Sequence, residues 1–239
     1  MWLFNVVREI QKSAGHSVEP ADIPHNDEEA IMQAIEFAFP CTDPARTWVL
    51  KVHRVMKPGL PRSKIITTHR DPRDVLVSFK DFMKTGFDEA LNHARDVLLF
   101  TGGYHGYDPD YLKLIAYSDI EMRPKQLINE LAEFLDIQLQ ESIADDIAEK
   151  FSRNKVRDII KQSDISLARK IENNMPVDKQ EIVYLSNSNY RSFDRNTGFQ
   201  TGHVSHRQTG DWKKILTAEE QELVNSEFGD WLKKYGYEV

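Results

Sequence analysis

The sequence predicts an α/β protein with a mostly parallel sheet flanked by helices. Three observations carry this. Short apolar, β-branched runs at 47–52 (TWVLKV), 65–67 (IIT) and 111–117 (YLKLIAY) alternate with segments of helical periodicity. That is the pattern of parallel strands joined by crossover helices. The second run passes through Arg70-Asp71-Pro72 straight into a helical pattern, with Val75, Phe79, Phe82 and Met83 at helical spacing. Asp71 suits an N-cap there and Pro72 the first helical position. At 239 residues, 40% hydrophobic and 29% charged, the chain suits a single domain over residues 1–239.

In chain order, Trp2, Leu3, Val6, Val7 and Ile10 mark one face of an opening helix that ends near Ala14-Gly15. Residues 16–29 read as a polar loop, and 30–39 as a short helix stopped by Pro40 and the Asp43-Pro44 turn. The strand at 47–52 follows, with His53 at its C-terminal end. Pro58, Gly59 and Pro61 make 54–62 a loop. After the strand–turn–helix unit of 64–83, Gly86 interrupts and 87–100 is helical. Gly102, Gly103 and Gly106, with Tyr104 and His105 among them, form a flexible connection to the third strand. Helices are then expected from Ile120 onward, with Leu127, Leu131, Phe134 and Leu135 as the core face, and at 143–151 and 156–171. Residues 173–202, rich in Asn, Ser and Gly, read as a long loop, and 203–212 as irregular. Thr217 caps a last helix with Glu220 in the capping-box position, and Leu223, Phe228, Trp231 and Leu232 form its buried face.

Composition narrows the function. The net charge of −7 argues against a general nucleic-acid binder. Residues 51–84 nevertheless hold nine Lys/Arg against three Asp/Glu, a surplus suited to an anionic ligand or to a solvated basic face. No apolar run approaches the ~20 residues of a membrane span. The opening MWLFNVVREI lacks the basic region and cleavage site of a signal peptide. One cysteine, Cys41, excludes an intrachain disulfide, and zinc-ligand spacing is absent. The expectation is a cytoplasmic protein with no metal.

In parallel folds ligands bind beyond the carboxyl ends of strands, and His53, Arg70 and Tyr117 all fall at such ends. Lys51 and His53, two residues apart, share a strand face. An imidazole there suits a general base or an ordinary structural histidine. Arg70, with the Ser78 hydroxyl two helical turns on, offers a fork of donors to a phosphate. Arg70 paired with Asp74 is the plainer reading. Tyr117 is a packed aromatic or a further donor. His203, Ser205, His206 and Arg207, ahead of Gly210-Asp211-Trp212-Lys213, concentrate donors beside one large ring, or form an ordinary polar loop anchored by a buried tryptophan.

The succession LKVHR, KIITTHRDPRDVLVSF, IAYSDI and TGDWKK resembles the sulfotransferase family, across nearly the whole chain. The segment of the type R-D/N-P-R-D-x-x-V-S is the most specific part. The resemblance implies a P-loop nucleotide-transferase-like fold and 3′-phosphoadenosine 5′-phosphosulfate (PAPS) as sulfuryl donor, with adenosine 3′,5′-bisphosphate (PAP) as product and no metal. It implies that Arg70 and Ser78 contact the 3′-phosphate, with Tyr117 near that phosphate or the adenine. His53 becomes the base, Lys51 a stabiliser of the transferring group, and Ser205, His206 and Arg207 the late phosphate-binding loop. The acceptor is a small molecule, carbohydrate or lipid bearing a hydroxyl or amine, with Phe87, Tyr104, His105 and 173–202 as candidates to line its pocket.

The family opens with a strand and a loop of the type P-K/R-S/T-G-S/T-T-W-L, which cradles the phosphosulfate. Here only Trp2-Leu3 matches its end. The sequence therefore reads as missing its first strand, either through a late start or as a short form that binds nucleotide and catalyses nothing. A P-loop kinase is the other enzyme class with this logic, but its G-x-x-x-x-G-K-S/T loop is not present.

Overall fold

The computed structural model describes residues 1–55, 63–104, 106–186 and 189–239. His105 and most of the loop read at 54–62 lie outside them. The described residues group into two compact units, 1–54 with 123–204 and 55–122 with 205–239.

In the first unit, α1 (Trp2–Ser13) packs on α6 (Pro124–Phe134) and α7 (Glu141–Lys150). Val6, Ile10, Leu127, Ile128, Leu131 and Ile147 form its core. The helix is more deeply buried than its apolar stripe implies, because polar residues also turn inward and find partners. Asn5 Nδ2 donates to the Thr197 carbonyl (2.8 Å), and Arg8 Nη1 to the Pro20 carbonyl (2.9 Å). The polar loop expected at 16–29 contains β1 (Ser17–Glu19), which pairs in parallel with β2 (Arg46–Trp48). It also contains the start of α2 (Asp27–Gln33), where the Asn26 side chain accepts the Glu29 N–H. A π-helical turn, Ala34–Ala38, continues α2. The strand expected over 47–52 stops at Trp48, so Lys51 and His53 lie beyond it rather than on it.

The loop expected at 173–202 is corrected more strongly. After α8 (Arg153–Glu172) comes a short 3₁₀ turn, then an antiparallel hairpin, β5 (Ile182–Ser186) and β6 (Asn189–Ser192). Phe193 and Gln200 add a further bridge, and Phe193 and Phe199 are buried. Ser192 and Thr201 both donate to Asp164 Oδ1 at 2.6 Å, which ties the segment to α8.

In the second unit, β3 (Ile65–His69) pairs in parallel with β4 (Leu112–Ala116), Ile65 opposite Leu112 and His69 opposite Ala116. The strands are joined through α3 (Pro72–Met83) and α4 (Phe87–Gly103). Gly102 and Gly103 thus end a helix instead of forming a flexible link. Tyr117 opens α5 (Tyr117–Met122). The short α9 (Trp212–Ile215) and α10 (Ala218–Lys234) complete the unit. Leu76, Leu91, Leu98, Trp212, Val224 and Phe228 lie in one core. Val224, Phe228 and Leu232, four residues apart, make the inner face of α10, while Leu223 is 46% exposed. The capping box of Thr217 and Glu220 is present. Among the described residues no helix is long and apolar enough to cross a membrane.

Candidate active site

The junction of β3 and α3 is fixed by buried polar contacts. Asp71 caps α3 by accepting the Arg73 N–H at 2.9 Å, and Pro72 follows at the first helical position, where no N–H is needed. Arg73, 1% exposed, returns its guanidinium to Asp71, with Nη2–Oδ2 at 2.8 Å. It also reaches Asn225 and the Glu238 carbonyl, and lies 3.8 Å from the Trp212 ring centre. Asp74 accepts the Gly210 N–H at 3.0 Å. Burial raises the Asp74 pKa and this hydrogen bond opposes the rise. Gly210 has φ +90°, a left-handed conformation that glycine adopts without strain. The Gly-Asp-Trp turn is therefore bound to α3 through Asp74, and the surface pair of Arg70 and Asp74 is not the dominant contact.

Arg70 stands free of those carboxylate bonds. Its guanidinium carbon lies 4.3 Å from the Tyr117 ring centre, and its Nε is buried without a hydrogen-bond partner. Leaving a buried charged donor unpaired is costly unless an anion arrives to meet it. Arg70 and Tyr117, which the sequence placed at the ends of two strands, are thus brought together. Ser78 is half-buried on α3. Arg207 comes to the same helix: it forms a forked ion pair with Asp81, one turn beyond Ser78, with Nη2–Oδ1 at 2.9 Å. Ser205 Oγ accepts the Arg207 N–H (3.1 Å), and His206 is exposed. The Arg207 fork is occupied by a carboxylate, which raises its pKa.

In the first unit, Asp27 of α2 holds His53 twice. Its Oδ2 accepts the His53 backbone N–H and its Oδ1 faces His53 Nδ1, both at 2.8 Å. On the other side of the ring, Lys51 Nζ lies 2.6 Å from Nε2. A carboxylate only accepts and an ammonium only donates. Nδ1 therefore carries the proton and Nε2 presents its lone pair. Burial lowers the Lys51 pKa to about 8, with Asp27 opposing. The His53 pKa is also lowered, by burial and then by the Lys51 charge, against the pull of Asp27. Because 69% of the His53 side chain faces solvent, the Lys51 charge is the cause to weigh. His203 belongs to the same electrostatic neighbourhood. Burial, then positive charges including Lys51 and Arg191, brings its pKa to about 3, so it is neutral at any physiological pH. Sequence reasoning missed Asp27, for which the Asn26-x-x-Glu29 cap was the available signal of a helix start; it set His203 in a donor-rich stretch without giving it a role.

The family model for the sulfotransferase domain matches residues 47–236. The chain belongs to the sulfotransferase family. That span includes every residue from Lys51 to Arg207 discussed above, and membership decides for sulfuryl over phosphoryl transfer. Solved structures with the sulfotransferase fold agree in architecture. Retinol dehydratase in complex with androsterone and the inactive cofactor PAP is 15% identical, with a TM-score of 0.59 over 97% of this chain and 77% of that chain. Mouse sulfotransferase SULT7A1 complexed with PAP is 18% identical, with a TM-score of 0.59 over 98% of this chain and 83% of that one. A second retinol dehydratase structure, with retinol and PAP, gives 14% identity and a TM-score of 0.57. The comparison with curated proteins gives no match. Among the described residues no group of three or more His, Cys, Asp or Glu stands where it could hold a metal ion.

Proposed function

We propose that this chain, acting as one sulfotransferase domain, moves a sulfuryl group from PAPS to a hydroxyl or amine acceptor with His53 as general base. The observation that carries the reading is the Asp27–His53–Lys51 arrangement, which fixes the tautomer that keeps the lone pair on Nε2, facing Lys51. The buried, unpartnered Nε of Arg70 fits an anionic group of the nucleotide, which supports assigning Arg70, Ser78 and Tyr117 to the 3′-phosphate. Bound PAPS supplies an electrophilic sulfur and a phosphate leaving group. His53 Nε2 takes the acceptor's proton, and Asp27 stabilises the imidazolium that results. Lys51, once turned from Nε2, neutralises charge that develops on the transferring oxygens. Arg207 and Ser205 serve the late loop after Arg207 leaves Asp81.

The retinol dehydratase structures hold androsterone or retinol, so small apolar alcohols open the acceptor panel, followed by phenols, sugars and lipids. With labelled PAPS, His53→Ala is expected to lose about 100- to 10,000-fold in turnover and to keep its affinity for PAP. Arg70→Ala is expected to weaken PAP binding. Wild-type rates in both variants would sink the assignment. A second reading has its own support, since Lys51 already occupies the lone pair of the base. A non-catalytic nucleotide-binding module predicts PAP binding with no transfer to any acceptor.

A further inference from the structure

One cluster of aromatic side chains is not used by this chemistry. It lies behind Arg70, in segment 231–238. Trp231 Nε1 donates to the Arg70 carbonyl at 3.2 Å. His69, the last residue of β3, stacks on Tyr235 with ring centres 4.1 Å apart and an interplanar angle of 17°. Its Nδ1 lies 2.9 Å from the Tyr237 hydroxyl. Trp231 and Tyr235 touch in turn, at 4.6 Å. The Glu238 carbonyl accepts from Arg73 Nη2 at 2.6 Å, which draws the same segment onto the start of α3. Burial pushes the Tyr237 pKa up to about 12, so its hydroxyl keeps its proton at any working pH.

We propose that segment 231–238 is a clamp that positions Arg70 for the nucleotide, with Trp231 and Tyr237 as the positioning residues. Successive side chains at a strand end point to opposite faces. The clamp grips the His69 side chain and the Arg70 carbonyl, while the Arg70 guanidinium lies over the Tyr117 ring. A binding group held in place before its ligand arrives loses less freedom on binding. As positioning residues, Trp231 and Tyr237 need no contact with the nucleotide. They act through the backbone that carries the arginine. This rests on the assignment of Arg70 to the 3′-phosphate made above.

The test is calorimetric titration of the whole chain with PAP, beside steady-state kinetics. Trp231→Phe removes the N–H and keeps an aromatic ring, and Tyr237→Phe removes only the hydroxyl. Each is expected to weaken PAP binding about five- to tenfold, as loss of one buried hydrogen bond does. The KM for PAPS should rise by the same factor while kcat holds. In an Arg70→Ala background neither substitution should weaken PAP further, because the clamp then has nothing to position. If Trp231→Phe does not fold, Tyr237→Phe carries the same test. PAP affinity within twofold of wild type in both variants, with Arg70→Ala weakened, would overturn the clamp alone. So would losses that add to that of Arg70→Ala. An Arg70→Ala protein that binds PAP like the wild type would overturn the underlying assignment, and the clamp with it.

Discussion

Arg70 follows a five-residue strand and precedes a capped twelve-residue helix, whereas His53 lies beyond the end of a three-residue strand. Around Arg70 the backbone is gripped by buried groups: Asp71, Arg73 and Asp74 are each under a tenth exposed and all are hydrogen-bonded. Around His53 the ring is open to solvent and its orientation depends on one carboxylate, 26 residues earlier in the chain. The two regions solve different problems. An anion pocket gains from rigidity, because its donors must not collapse on one another when empty. The proposed base and its lysine have to change partners during turnover, and a deeply buried pair resists such exchange.

That contrast can be broken experimentally. The largest expected effect is on stability at the Arg70 side. Arg73→Met leaves the buried Asp71 carboxylate without its counter-ion, holding only the Arg73 backbone N–H, and should cost about 3–5 kcal/mol, read as a lower urea midpoint. A midpoint near wild type would mean that the junction is not held by this pair. Next comes Asp27→Asn. It should lower turnover about 100-fold by letting the imidazole turn, with little change in the urea midpoint. Removing that negative charge also removes what favours imidazolium, so the acidic limb of the pH–rate profile should move to lower pH. The alkaline limb, near pH 8 as Lys51 loses its proton, should move upward in Lys51→Arg. Profiles that superimpose on wild type would detach both residues from catalysis. The smallest effect is expected from Thr217→Ala, which deletes one helix cap at about 1 kcal/mol. Unchanged PAP affinity and rate in that variant would separate loss of stability from loss of function.

The same contrast explains what could be read from sequence. The β3–α3 junction was legible because its determinants are consecutive: the β-branched strand, the cap at Asp71 and the proline at Pro72. The capping box of α10 was legible for the same reason. Asp27 was not, because its partner lies far along the chain and its own surroundings read as a polar loop. β1 is three residues long and exists only through its pairing with β2. The β5–β6 pair escaped notice because Tyr184 and Tyr190, opposite one another, are exposed and β6 is otherwise polar, although Ile182-Val183-Tyr184-Leu185 in β5 carries a strand signal. On α10 the reading chose Leu223 instead of Val224, a one-residue phase error that burial alone reveals. The pairing of Arg207 with Asp81 joins positions 126 residues apart, which no local pattern reports.

The 2.6 Å contact between Lys51 and His53 has a consequence for the order of events. While the ammonium points at Nε2, the lone pair that would take a proton is already engaged, and water or a stray alcohol finds no base. A negative charge arriving near Lys51 draws the ammonium toward itself and uncovers the lone pair in the same movement. In the proposed mechanism this contact is a safety catch, released by the arrival of an anionic donor. On that proposal, acceptor molecules that enter first wait, bound but unactivated, until it comes.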